Sequence, residues 1–167
     1  MAANASAEYF LKINGVKGES NKSGYESQIE IESFSWGATQ TGGHAVGGGG
    51  GVGGVNMGDF QFTTKMNAAS PVLMQACATG LPYATAVLTA RKAGGKQQAY
   101  LTWTLSNVTV SSYNTGGANG SDTVPTDSFS LSFTKVVVSY KPQKDDGSLD
   151  APVPGGFDLK SMTSAGS

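Results

Sequence analysis

Residues 29–36 read Ile29-Glu30-Ile31-Glu32-Ser33-Phe34-Ser35-Trp36. Alternate side chains of a strand face opposite sides of its sheet, so Ile29 and Ile31 belong to one face. Phe34 and Trp36 then break the parity, because an odd-numbered apolar set gives way to an even-numbered one. A β-bulge produces such a slip, and so does a strand that bends until its two halves pack on different surfaces. The same signature recurs twice. Leu101, Trp103 and Leu105 give way to Val108 and Val110, and Phe129, Leu131 and Phe133 give way to Val136, Val138 and Tyr140. Three slips in three strands predict a small β-barrel, closed or folded over.

Around these stretches the pattern is mainly β. Strands are predicted over 7–14, 25–37, 57–66, 84–92, 97–112 and 127–141, with 84–92 and 97–112 forming a hairpin about Gly94-Gly95. One segment, 69–82, reads as a short flanking helix. Ser70 is placed to cap it, Pro71 suits its first position and Gly80 its C-terminal turn. The chain of 167 residues suits one domain over 1–150, followed by an extended or mobile tail over 151–167.

After each slip, the face opposite the large apolar side chains carries small polar ones: Ser33 and Ser35, Thr109 and Ser111, and Ser139. Ordinary solvent exposure explains such residues. They also describe a smooth, nearly uncharged wall of the sort a channel needs.

Between two predicted strands lies a glycine-rich loop, 42–56, with His44, Val46, Val52 and Val55 as its bulky members. Gly49, Gly51 and Gly54 match the spacing of a dinucleotide fingerprint. That fingerprint works only where the loop opens a helix, whose amides hold the pyrophosphate. Here the alternating run Phe60–Met66 follows, which is a strand, and no nucleotide site results. Ordering so much glycine is costly in backbone entropy, so a partner is expected to supply the order.

No other chemistry emerges. His44 sits where nothing would hold it to catalytic precision, and Cys77 on the helix reads as a small core hydrophobe without a base. One His and one Cys cannot make a structural zinc site. No catalytic residue, cofactor or metal is expected. A net charge of −1 gives no electrostatic footprint for nucleic acid or an anionic membrane. The beginning of the chain has neither the basic nor the apolar region of a signal peptide, and a lone Cys suits a reducing compartment. Cytoplasmic synthesis is therefore expected, with no membrane insertion and with any export reading the folded protein.

Seven segments in order resemble one family. They are VKGES (16–20), FSWG (34–37), GGGGGVGGVN (47–56), SPVLMQACATG (70–80), LTARKAGG (88–95), VSSYNTGG (110–117) and VVVSYKPQKDDG (136–147). Together they are similar to the haemolysin-coregulated proteins (Hcp) of bacterial type VI secretion systems, less closely in 1–6 and after Asp150. The resemblance implies a two-sheet barrel assembling as a hexameric ring. Such rings stack into a tube that contraction of a sheath expels, with effector proteins carried in the lumen. It further implies a VgrG-type spike and sheath proteins as partners, and secretion without a cleaved signal. In that light the small polar residues become lumen-facing. His44, Val46, Gly49, Gly51, Val52, Gly54 and Val55 become a contact element between subunits or rings. The tail-tube protein of a contractile phage-like particle, a monomeric secreted binding module and, more remotely, a cysteine hydrolase are the alternatives.

Overall fold

A computed structural model describes residues 6–40, 54–93, 96–120 and 124–166. In chain order these form β1 (Ala7–Ile13), β2 (Ile29–Ile31), β3 (Ser33–Ser35), β4 (Ala38–Gln40), β5 (Val55–Met57), β6 (Phe60–Lys65) and α1 (Ser70–Thr79). There follow β7 (Tyr83–Lys92), β8 (Ala99–Gly116), β9 (Thr126–Ser132), β10 (Lys135–Tyr140), β11 (Val153–Asp158) and β12 (Thr163–Ser164). The predicted hairpin is present as the antiparallel pair β7–β8, and residues 94–95 lie outside the described ones.

Each parity slip marks the point where the chain crosses from one sheet to another. The first sheet runs β12-β11-β10-β8-β7-β1-β2, and the second β3-β6-β9 with the later half of β8. Glu32 separates β2, which pairs with β1, from β3, which pairs with β6. In β8 the crossing falls at Asn107, whose φ of 51° is left-handed, a conformation that Asn tolerates better than most residues. The third crossing separates β9 from β10 at Phe133-Thr134. The second and third are laced together. Thr134 N–H donates to Ser106 C=O at 3.0 Å, and Asn107 Nδ2 donates to Thr134 Oγ1 at 3.0 Å.

The result is a pair of sheets folded over one another, and the barrel does not close as a continuous ladder. At the β2–β3 corner the sheets are joined by the chain itself, with Glu32 N–H donating to Thr63 C=O at 2.9 Å. The enclosed core contains Leu11, Ile13, Phe60, Phe62, Leu105, Val108, Phe129 and Leu131. Its aromatic rings meet edge-on or stacked, Phe62 on Phe129 with centroids 5.2 Å apart.

Several predicted elements differ from those found. The expected strand over 25–37 begins only at Ile29, because Tyr25–Gln28 forms a turn with Ser27 at φ 62°. Tyr25 instead covers Phe10 on the outer face of the first sheet, with the rings stacked at 4.4 Å and the buried Arg91 guanidinium 5.0 Å from each. Ser70 does not cap α1. Ala69 holds the cap position without a side-chain bond, and Ser70 is already helical. Gly80 ends the helix as expected, left-handed at φ 70°. Within the tail expected over 151–167, Val153–Asp158 pairs with β10 along its whole length, and Thr163–Ser164 turns back to pair with β11. Proline and two glycines hid β11, since both residue types are poor strand formers. Gly156 is required there, because a Cβ would lie 2.5 Å from the Val136 carbonyl oxygen.

Candidate functional site

The outer face of the second sheet is built from the alternate residues left over when Phe60, Phe62, Phe129 and Leu131 turn inward. Register places Ser33 opposite Thr63, Thr63 opposite Ser128, and Ser128 opposite Asn114. A second row runs Ser35, Gln61, Ser130 and Ser112, and Thr109 faces Ser132. With strands ~4.8 Å apart, four of them make a face roughly 15 Å across. None of these residues is charged. The pair Lys65–Glu32, 3.8 Å apart, stands at one margin.

Seven of the hydroxyls bond one another across the strands. Ser33 shares a hydrogen bond with Thr63 at 2.5 Å, Ser111 with Ser130 at 2.7 Å, Ser112 with Ser130 at 2.5 Å, and Thr109 with Ser132. Such cross-strand pairs contribute about 0.2–1 kcal/mol each. They tie these hydroxyls together across the strands on a face that is polar but uncharged.

Four of the five residues singled out from the sequence, Ser33, Ser35, Thr109 and Ser111, therefore share this face. Ser139 does not. It lies on the outer face of the first sheet, opposite Thr102 and Pro154, because parity tells which side of a strand a residue takes but not which sheet the strand has joined. The sequence also missed Gln61, Thr63, Ser128, Ser130 and Ser132, which only cross-strand register assigns to the face. A second irregularity escaped it too. The ladder shifts between Val110 and Ser112, so that Ser111 and Ser112 both reach Ser130 and Tyr113 returns to the core. The odd-numbered Tyr113 after the even-numbered Val110 was the available signal.

Beyond this face the chain continues as an arm. Ala38–Gln40 pairs with Val55–Met57, forming a ladder separate from the main sheets. Where it leaves the second sheet, Gly58 N–H donates to Gly37 C=O at 2.9 Å and Trp36 Nε1 donates to Gly58 C=O at 2.8 Å. A Cβ on Gly58 would come within 3.0 Å of that Gly37 oxygen. Val55, expected in the glycine loop, is the first residue of β5, and Gly54 precedes it. His44, Val46, Gly49, Gly51 and Val52 lie outside the described residues.

Groups with catalytic potential are poorly arranged for it. Cys77 is half-buried against the core. Ser70 Oγ donates to Asp127 Oδ2 at 2.5 Å, but both side chains are buried and Ser70 also accepts Asn67 N–H. This pair fastens α1 to β9. Tyr113 is close by; burial first, then the Asp127 charge, hold its phenol above the usual tyrosine range. Among the described residues no group of three or more His, Cys, Asp or Glu could hold a metal ion, and no helix is long and apolar enough to cross a membrane.

Comparison with known proteins places these features in company. Residues 10–140 match the family model described as "Type VI secretion system effector, Hcp". The chain is 43% identical over 160 residues to "Protein hcp1" of Pseudomonas aeruginosa, covering 95% of this chain and 98% of that one. A solved structure of a type six secretion system protein superposes with a TM-score of 0.88 at 26% identity, covering 96% of this chain and all of the other. Hcp1 from Salmonella typhimurium does so with a TM-score of 0.76 at 27% identity, covering 96% and 99%.

Proposed function

The chain belongs to the Hcp family of type VI secretion proteins, and from that membership we propose that it is the repeating subunit of the secretion tube. Six copies form a ring, and rings stack into a tube that a contracting sheath expels behind a VgrG-type spike. The outer face of the second sheet lines the bore and effector proteins travel inside it. The arm over 38–57 reaches a neighbouring subunit or ring, with the residues between its strands making the contact. The protein is made in the cytoplasm and leaves folded. Its part is structural, and no residue is assigned a catalytic step.

The observation that carries this is the uncharged face with its mutually bonded hydroxyls, spanning four strands. Small side chains keep a bore wide, and hydroxyls that bond one another bind cargo weakly enough to release it. Negative-stain microscopy of the purified protein tests the proposal, with six-fold rings expected. A monomer in light scattering at micromolar concentration would sink it.

A further inference from the structure

The chain contains two Asn-Gly pairs, Asn14-Gly15 and Asn119-Gly120. Both asparagines are exposed, and both glycines are left-handed, at φ 87° and 80°. Such a pair is a turn signal and also a reactive group. The asparagine Cγ is one ring closure away from the backbone nitrogen of the next residue, and glycine there has no Cβ to obstruct the approach. A Cβ at either glycine would meet nothing within 4 Å, so packing shields neither pair. The difference lies in how each is held.

Asn14 is fastened. Its backbone N–H donates to Thr85 C=O at 3.0 Å, and Val16 N–H donates to Ile13 C=O at 3.0 Å across the turn. Ile13 and Val16 on either side belong to the core, 1% and 8% exposed. Bringing the Asn14 side chain onto the Gly15 nitrogen means turning the peptide between them, which these anchors oppose. Asn119 is not fastened in that way. Residues 114–120 are all exposed, and among the described residues neither Asn119 nor Gly120 has a hydrogen-bond partner.

We propose that Asn119 is a site of spontaneous deamidation in the folded protein, and that the fold protects Asn14 from the same reaction. The Gly120 nitrogen, having given up its proton to base, attacks Asn119 Cγ. A C–N bond forms, the side-chain amide leaves as ammonia, and a succinimide results. Water then opens the ring at one carbonyl or the other, giving aspartate or isoaspartate at 119. One new carboxylate takes the net charge of the chain from −1 to −2. It enters the connection from β8 to β9, at the end of the second sheet where Lys65 stands opposite Thr126.

The purified full chain tests this, held at mildly alkaline pH in native buffer and, in parallel, in urea. Peptide mapping by mass spectrometry follows both asparagines, with Asn119→Asp as the standard for the product. In native buffer Asn119 should convert at least ~10-fold faster than Asn14, because a fastened turn reacts only through a local opening. In urea the two rates should converge. Ion exchange should show an acidic form accumulating in the wild type and far less of it in Asn119→Gln. Equal rates in native buffer overturn the proposal. So does a difference that survives in urea, since it would then come from the neighbouring residues and not from the fold. An acidic form that builds up as fast in Asn119→Gln as in the wild type would also overturn it.

Discussion

Ser70 ties α1 to the second sheet through its hydroxyl, which donates to Asp127 where neither group meets water. Removing it strands a buried carboxylate whose other oxygen, Oδ1, has no hydrogen-bond partner. Ser70→Ala should therefore cost about 1–3 kcal/mol, the penalty for a buried polar group left unpaired. Urea unfolding reads this directly, and an unchanged midpoint would mean that water replaces the hydroxyl. Ser35 is the opposite case. Phe34, on one side of it, packs edge-on against Tyr9 at 5.3 Å, and Trp36, on the other, stacks on Phe60 at 5.3 Å, while Ser35 itself is exposed. Ser35→Gln should change stability by no more than about 0.5 kcal/mol. Repeated around a ring, it should nonetheless crowd the proposed bore. Rings that persist while cargo loses protection from protease are the expected result, and unchanged protection would put the cargo surface elsewhere.

Among the elements, the ones legible in the sequence are those whose side chains alternate. Ile29, Ile31, Phe34 and Trp36 disclosed the β2–β3 corner because large residues on successive faces leave no doubt about parity. Val153–Asp158 was invisible because Pro154, Gly155 and Gly156 carry no alternation, and their fitness for a strand depends on what lies beside them. Gly156→Ala should push β11 off β10, costing about 1–3 kcal/mol as other forced overpacking does. Faster amide exchange confined to β11 and β12 would show it. The face was only partly legible for a related reason: parity gives a residue its side, while Ser139 needed a sheet and Gln61 needed a neighbour. The arm is an element apart, paired within itself beyond the Gly37–Gly58 pinch. Deleting 46–53 should leave the melting temperature of the barrel nearly unchanged and abolish stacked tubes in microscopy. Tubes formed by the shortened chain would reduce the segment to a connector.

For the molecule as a whole, Ser70, Ser35 and Gly156 stand for three demands on one chain: a closed core, an uncharged face and strands packed too closely for a side chain. The first is met around β8, the strand common to both sheets. Leu101–Ser106 has β7 on one side and β10 on the other, and Thr109–Gly116 is paired with β9. No local opening can free the middle of such a strand without parting it from two partners at once. Proteins open in cooperative units, and amides that only global unfolding exposes exchange last. In a native-state hydrogen-exchange series, the amides of 101–106 should report the full unfolding free energy, and those of 38–40 and 55–57 far less. Time therefore separates what the sequence joins. The arm should exchange its amides through an opening of its own, while the strand at the centre should keep its protons until the whole subunit unfolds.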